Sequence, residues 1–337
     1  MKASAPGKII LLGEHAVVYG HPALAVPVPQ VSAEAEVTRS SSPGIWIEAP
    51  DIGLQTDLDL LPPADPLAAL VRSLLVGLHL EAPPDLRIHI HSTIPVASGL
   101  GSGAAVSVAL TRAMAGELGV ALSDDQVSAY AFQIEKLHHG TPSGIDNTVV
   151  TYGRPIFFAR GEPPEPLDVG APLTFVIGDT GIPALTRASV EDVRRLRDTN
   201  VSRWEAVFDE IGSLVILARD CIQNGEGKQL GALLDQDQAL LEQLHVSSPE
   251  LDRLIRTSRR AGALGAKLSG GGRGGNMIAL ATEETAQLIA AALTSAGARR
   301  VIVATLEKSL PAGAGRDQMQ PRAIRDAPGH LASDKRS

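Results

Sequence analysis

The sequence predicts a mixed α/β or α+β protein made of two domains. Segments with strand-like patterns alternate with helix-like segments along most of the chain, which is typical of these two fold classes. Residues 161–172 contain four prolines and have the composition of a connection between domains. A chain of 337 residues is long enough to bury two modest cores. We therefore expect domains over residues 1–165 and 166–310, followed by a disordered tail over residues 311–337.

The individual elements follow from apolar patterning in chain order. Short runs that are apolar or alternate with polar residues predict strands at 9–12, 31–37, 45–48, 86–93, 156–158, 173–177, 277–280 and 301–306. Longer stretches with helical patterning predict helices at 67–78, 104–118, 123–138, 189–198, 204–223, 227–244, 249–260 and 283–296. The helix at 67–78 is apolar nearly all round, which indicates burial. Residues 51–66, rich in Asp and Pro, are expected to form a loop.

Composition excludes several classes of partner. The net charge of −8 argues against a nucleic acid or an anionic membrane surface as the main partner. An anionic small ligand stays compatible with this charge, because glycine amides and one lysine can bind it locally. The single cysteine, Cys221, excludes an internal disulfide and favours a reducing compartment. No apolar run reaches the ~20 residues of a membrane helix and no leader pattern is present, so we expect a cytoplasmic protein.

The most informative stretch is Pro95-V-A-S-G-L-G-S-G-A-Ala105, which lies between a predicted strand and a predicted helix. Glycine allows close approach of a ligand to the backbone, and the first amides of a helix are unpaired and lie at its positive end. A phosphate site and a ligand-free tight turn are equally consistent with this stretch alone. Neither it nor the second glycine cluster, Gly270–Gly275, has the spacing of a Walker-type loop or of a dinucleotide fold.

Charged residues flank the first predicted strand. Lys8 precedes its apolar run, and Glu14 and His15 follow it. Buried strands carry such groups only when they have partners, so in isolation a surface location is the simpler interpretation. His89 and His91 share one face of a later strand; a solvent-facing edge is favoured over a metal site, because no other ligand has a matching spacing.

Four segments taken together resemble the GHMP kinases. They are Ala5-P-G-K-I-I-L-L-G-E-H-A-V-V-Y-Gly20, Pro95–Ala105, Glu135-K-L-H-H-G-T-P-S-G-I-D-Asn147 and Lys267-L-S-G-G-G-R-G-G-Asn276. Their order spans roughly residues 5–306, and the first is most similar to family members that act on mevalonate. The resemblance implies an α+β fold with an N-terminal β-α-β domain like domain 2 of ribosomal protein S5, a ferredoxin-like C-terminal domain and a site between them.

The resemblance also implies an activity: ATP- and Mg²⁺-dependent phosphorylation of the 5-hydroxyl of mevalonate in isoprenoid biosynthesis. Phosphomevalonate as the acceptor and the 3-hydroxyl of mevalonate are alternatives, and a catalytically silent sensor of nucleotide and metabolite is an alternative of another class. A homodimer is compatible with the resemblance.

Site roles are carried over onto matching positions. Asp146 would accept or orient the proton of the attacking hydroxyl, and Lys8 beside it would favour its charged form and stabilise the incipient alkoxide. Glu135 and Ser102 would hold Mg²⁺. The residues implied for ATP are Pro95, Ser98, Gly99, Leu100, Gly101, Ser102, Gly103 and Ala104. The residues implied for the substrate are Glu14, His15, Thr186 and Gly271.

Two positions depart from the family pattern. Gly103 stands where the family usually has a second serine that helps to hold Mg²⁺, which predicts weaker metal affinity. Arg273 interrupts a loop that is otherwise glycine, and contact with a phosphate and exposure to solvent are both consistent with the sequence.

Overall fold

A computed structural model of the chain describes residues 1–78, 82–95, 98–139, 142–184 and 186–309. The predicted tail at 311–337 lies outside the described residues, as do Val96, Ala97, Gly140 and Thr141 of the quoted motifs.

The described strands are β1 (Lys2–Leu12), β2 (Ala23–Arg39), β3 (Ile45–Ala49), β4 (Leu54–Asp57), β5 (Leu86–Ser92), β6 (Ile156–Phe158), β7 (Glu165–Pro166), β8 (Leu173–Asp179), β9 (Gly265–Ser269), β10 (Asn276–Ala281) and β11 (Arg300–Leu306). The described α-helices are α1 (Pro66–Gly77), α2 (Ser102–Glu117), α3 (Asp124–His139), α4 (Ile145–Tyr152), α5 (Thr186–Thr199), α6 (Val201–Asn224), α7 (Gly227–Gln243), α8 (Pro249–Arg260) and α9 (Glu283–Ser295).

The N-terminal sheet is built around the long strand β2. Strands β1, β5 and β6 pair with β2 in antiparallel fashion, and the sheet extends through β5 to β3 and β4 and through β6 to β7. The pair β3–β5 is parallel, and the connection between its strands contains α1, as in a β-α-β unit. Helix α2 packs against β1 and β2, where buried Ala33 and Ala35 leave room for a close approach.

The C-terminal sheet is antiparallel and has the order β11-β8-β10-β9. Numbered by chain order within this sheet, the strands run 4-1-3-2, the ferredoxin-like arrangement. Helices α5 to α8 connect β8 to β9, and α9 connects β10 to β11. The expected α+β fold with two domains is therefore confirmed.

Several elements differ from the sequence prediction. Strand β2 begins at Ala23, eight residues earlier than expected. The sequence prediction missed this part because Pro27 and Pro29 lie within it and are local signals against a strand. The register of β1 against β2 shifts there, from Pro6↔Ser32 to Gly7↔Val28, so the prolines are accommodated at an irregularity of the ladder. The expected loop at 51–66 contains β4, which completes the sheet edge.

Three further strands or α-helices were absent from the prediction, among them the short strand β7 within the expected connection, and one helix was described wrongly. Helix α4 begins inside the turn-rich segment before Asp146, and β9 precedes the second glycine cluster. Helix α1 is not buried all round, because Val76 is 75% exposed while Leu70 and Leu74 face the core.

Within the described ranges, no helix combines the length and the apolarity that crossing a bilayer requires.

Candidate active site

A buried ion pair joins the first strand to helix α4. Lys8, on β1, is only 3% exposed, and its Nζ lies 2.8 Å from Oδ2 of Asp146. Asp146 occupies the first turn of α4, for which Gly144 is the N-cap, and its side chain is 31% exposed. The lysine is thus enclosed, whereas its carboxylate partner can be reached by a ligand.

The first glycine loop packs directly on Lys8. The backbone amide of Lys8 donates to the carbonyl oxygen of Leu100 at 2.9 Å. Gly101 has φ 75°, and a Cβ atom there would lie 2.9 Å from Cγ of Lys8. Only glycine suits this position, because a larger residue would be strained in φ and would displace the lysine. The structure thus brings the first glycine loop and the Lys8–Asp146 ion pair into contact.

The accessible edge of this loop is the start of α2. Gly101 is the N-cap and no side chain caps the helix, so the positive end of its dipole is open to an anion. Ser102 is half-buried, Gly103 is exposed, and a Cβ atom added at Gly103 would meet nothing within 4 Å.

Other predicted nucleotide residues lie beneath this edge. Leu100 and Ala104 are buried, and the buried Ser98 donates its hydroxyl to the carbonyl oxygen of Pro95 at 2.8 Å. The hydroxyl of Ser98 is therefore engaged in shaping the turn.

Glu135 lies next to the ion pair, on helix α3. Burial is the main cause that raises its pKa to about 8; the charge of Asp146 raises it further and that of Lys8 opposes the rise. Two neighbouring carboxylates with one ammonium form an environment that attracts a cation, and carboxylate oxygen is a ligand that Mg²⁺ accepts. The described residues contain no group of three or more His, Cys, Asp or Glu arranged for a metal. A cation here would therefore need further oxygen ligands, such as a serine hydroxyl and phosphate.

Gly271 packs between His15 and Thr186, two of the other residues that the resemblance implies for the substrate. Nε2 of buried His15 lies 3.2 Å from the carbonyl oxygen of Gly271. A Cβ atom at Gly271 would lie 2.9 Å from Oγ1 of Thr186, so glycine is needed for this packing. Three segments distant in sequence meet here.

The electrostatic state of His15 follows from its burial, which lowers its pKa to about 4. The imidazole is therefore neutral near pH 7. Because a carbonyl oxygen only accepts hydrogen bonds, Nε2 carries the proton and Nδ1 is an acceptor. Nδ1 has no hydrogen-bond partner among the described residues.

Glu14 is buried in a charged cluster that the sequence analysis did not identify. Its Oε1 accepts a hydrogen bond from Nζ of Lys267, on β9, and the amide of Gly270 lies 3.4 Å away. The same Nζ lies 3.3 Å from Oδ2 of Asp237, on α7. Lys267 could have been suspected as the one charged residue of a short apolar segment. Asp237 could have been suspected as an acidic residue in register with the apolar stripe of α7.

Two more residues that the sequence analysis left unassigned link the domains beside the site. Nδ2 of Asn276, at the start of β10, donates to the carbonyl oxygen of Ser98 at 2.5 Å. The hydroxyl of Ser269 donates to the carbonyl oxygen of Ile10 and accepts from its amide. The two glycine loops and the ion pair therefore form one contiguous region at the domain junction.

Arg273 is partly exposed and is held by two contacts within the protein. Its Nη1 pairs with Oδ2 of Asp192, on α5, and its Nε donates to the carbonyl oxygen of His245 at 3.2 Å. The guanidinium thus ties the second glycine loop to α5.

Comparison with known proteins finds relatives and solved structures that are similar over most of the chain. The profile for the GHMP kinases N terminal domain matches residues 68–154, and that for the GHMP kinases C terminal region matches residues 218–299. A mevalonate kinase of Thermococcus sibiricus is 35% identical over 317 residues, which cover 89% of this chain and 94% of the relative. A mevalonate kinase of Aeropyrum pernix is 33% identical, with 88% and 97% covered. The crystal structure of L. major mevalonate kinase in complex with R-mevalonate superimposes with a TM-score of 0.80 at 30% identity, covering 92% of this chain and 96% of that one.

Proposed function

Because the chain belongs to the GHMP kinase family and is an ATP-dependent kinase, we propose that it transfers the γ-phosphoryl group of ATP to the 5-hydroxyl of mevalonate. This reaction belongs to isoprenoid biosynthesis, and we propose that it takes place in the cytoplasm. The relatives named above support mevalonate as the acceptor. The observation that carries the chemistry is the ion pair of Lys8 with Asp146 beside the open start of α2.

In this mechanism Asp146 accepts the proton of the attacking hydroxyl. The new bond forms between that oxygen and the γ-phosphorus, while the bond from the γ-phosphorus to the bridging oxygen breaks and releases ADP. Lys8, 2.8 Å from Asp146, orients the carboxylate and stabilises negative charge on the attacking oxygen. Phosphoryl transfer has a loose transition state, so positioning and charge contribute more than a strong base.

The first glycine loop binds the phosphates in this proposal. Backbone amides from Gly99 to Gly103 and the dipole of α2 face the β- and γ-phosphoryl groups, and Pro95, Ser98, Leu100 and Ala104 hold the loop in shape. Glu135 and Ser102 would hold Mg²⁺, because burial and the charge of Asp146 disfavour an uncompensated charge on Glu135 and a cation there would compensate it. When bound, Mg²⁺ neutralises charge on the phosphate oxygens.

The acceptor alcohol lies against His15, Gly271 and Thr186, with Glu14 behind them. Nδ1 of neutral His15 is an unpaired acceptor that suits a hydroxyl donor. A carboxylate-bearing alcohol with two hydroxyl groups, such as mevalonate, offers such a donor in addition to the reacting oxygen.

The test is a kinase assay in which the product phosphate is located. The protein is incubated with ATP, Mg²⁺ and one of four acceptors: mevalonate, phosphomevalonate, homoserine or galactose. We expect turnover of mevalonate, with the phosphorus NMR signal coupled to the protons of C5. Phosphate on the 3-hydroxyl, or turnover of another acceptor alone, would overturn the assignment.

A catalytically silent sensor is the second candidate, and Gly103, in place of the usual serine, is the feature that favours it. A sensor would bind ATP and mevalonate in calorimetry without forming ADP. Stoichiometric ADP release with the phosphorylated product excludes this candidate.

A further inference from the structure

The cluster of Glu14, Lys267 and Asp237 is buried between the two domains beside the substrate side of the site. The side chain of Lys267 is 0% exposed, and those of Glu14 and Asp237 are equally enclosed. The ammonium of Lys267 faces three acceptors: Oε1 of Glu14, Oδ2 of Asp237 at 3.3 Å and the carbonyl oxygen of Leu268 at 2.6 Å. The contacts with Glu14 and Leu268 are hydrogen bonds, whereas the contact with Asp237 is an ion pair, and neither carboxylate oxygen of Asp237 has a hydrogen-bond partner among the described residues.

Glu14 depends on this lysine for charge compensation. Its Oε2 is buried and has no hydrogen-bond partner within the described part of the chain. A carboxylate enclosed in this way is unfavourable unless an opposite charge lies against it. Because Glu14 belongs to the N-terminal domain and Lys267 to β9, the pair also fixes the distance between the β1 turn and the second glycine loop.

The pair of Glu14 with Lys267 also affects the position of His15 and of the second glycine loop. His15 follows Glu14 directly, and its ring rests on the carbonyl oxygen of Gly271, while the amide of Gly270 points to Glu14. His15 has φ 62°, a backbone conformation that needs support from its surroundings. A shift of Glu14 relative to Lys267 would therefore move both His15 and the loop at Gly270 and Gly271, against which the acceptor lies in our proposal.

The charge of the cluster changes with the protonation of Asp237. Its pKa is raised to about 7, first by burial and then by the carboxylate of Glu14, whereas Lys267 opposes the rise. Near neutral pH, Asp237 is therefore present in both a neutral and an ionised form. When it is neutral, the ammonium of Lys267 pairs with Glu14 alone, and when it is ionised, Asp237 competes with Glu14 for that ammonium. Of the other titratable or charged groups nearby, His15 is neutral above about pH 5, Arg273 pairs with Asp192 of α5, and Asp235 pairs with Arg259 of α8 at 2.7 Å.

We propose that Lys267 and Asp237 are positioning residues for the acceptor: Lys267 holds Glu14 and the adjoining His15 against the second glycine loop, and ionisation of Asp237 loosens that hold. This inference rests on the proposed function and adds a determinant of acceptor affinity to it. Acceptor affinity is then highest when Asp237 is protonated and falls as the pH rises through neutrality.

The first test separates the two substrates. In Lys267→Met we expect the KM for mevalonate to rise at least tenfold, while the KM for ATP stays within twofold. Lys267→Arg, which keeps the charge, should recover most of the mevalonate affinity. An unchanged mevalonate KM in folded Lys267→Met, or an equal rise in both KM values, would overturn the role of Lys267.

The second test uses the pH dependence and a variant of nearly the same shape. Between pH 6 and 8.5 the wild-type KM for mevalonate should rise several-fold, and in Asp237→Asn it should stay flat. Asp235→Asn, two residues away on the same helix, is the matched control and should keep the wild-type profile. Parallel profiles for the wild type and Asp237→Asn would overturn the role of Asp237.

A third measurement does not need turnover. Since the folded state holds a proton on Asp237 that the unfolded state releases near pH 4, wild-type stability should fall between pH 5 and 8 relative to Asp237→Asn. Chemical denaturation at these pH values tests this, and parallel stability curves would overturn the titration of Asp237. Absence of wild-type turnover with mevalonate would instead overturn the proposed function, and the KM comparison would then use the alcohol that is phosphorylated.

Discussion

The side-chain amide of Asn276 holds the carbonyl oxygen of Ser98 at 2.5 Å, across 178 positions of the chain. Both residues are buried, and they belong to different domains. The first glycine loop is therefore held by two contacts, one with Lys8 of β1 and one with Asn276 of β10. Its conformation depends on both domains being docked.

Replacing Gly101 by alanine should damage both stability and nucleotide binding. The left-handed φ and the 2.9 Å approach to Cγ of Lys8 predict a loss of about 1–2 kcal/mol or more and a raised KM for ATP. Gly103→Ala is the matched control, because Gly103 has open space around it. It should be neutral or gain up to about 1 kcal/mol. Equal effects of the two substitutions in urea unfolding would contradict this account.

Asp146→Asn should abolish proton acceptance while ATP still binds. We expect kcat to fall by about 10²–10⁴-fold, the usual contribution of a general base. Asp124→Asn removes an exposed carboxylate that pairs with Arg112, and it should leave kcat unchanged. Steady-state kinetics measures kcat, and calorimetry measures whether ATP still binds. An Asp146→Asn enzyme with wild-type kcat is incompatible with the mechanism.

Gly103→Ser should lower the free Mg²⁺ concentration needed for half-maximal activity. A serine fits at this exposed position without a clash, and its hydroxyl would add an oxygen ligand next to Ser102. Ser102→Ala should act in the opposite direction and lose activity at limiting Mg²⁺. Titrating activity against free Mg²⁺ compares the three proteins. Identical metal dependence in all of them would remove Ser102 from the proposed metal site.

Acid should destabilise the protein through His15. The unfolded imidazole binds a proton near pH 6.5, whereas the folded one does so only near pH 4, so the unfolded state binds more protons between these values. The contribution of His15 to stability is complete above pH 6.5 and is lost as the pH drops toward 4, by on the order of 3 kcal/mol. His15→Asn, which tolerates positive φ, should lose this slope. Urea unfolding at pH 4.5, 5.5 and 7 tests the difference, and equal slopes would count against it.

The sequence was informative where function depends on local patterns. The motif around Lys8, the start of α2 and the turn before Asp146 could all be recognised, and the structure brings these three segments into contact. The N-terminal part of β2 was missed because Pro27 and Pro29 are local signals against a strand, and the irregular ladder that tolerates them is a tertiary feature.

The buried cluster and the bond between Asn276 and Ser98 could not be predicted in the same way. Asp237 and Lys267 are 30 positions apart, on a helix and a strand whose relative placement no local pattern encodes. The contact of Arg273 with Asp192 likewise depends on where α5 lies above the second glycine loop. Residue type indicated that these groups needed partners, but only the docked domains supply them.

The hydroxyl of Ser269 substitutes for a neighbouring strand, since it satisfies both the amide and the carbonyl group of Ile10. Buried backbone groups of the N-terminal domain consequently depend on side chains of the C-terminal domain for their hydrogen bonds. If the chain were expressed as two fragments divided within residues 161–172, each fragment alone should be unstable. Mixing the two fragments should restore kinase activity, as in a split enzyme.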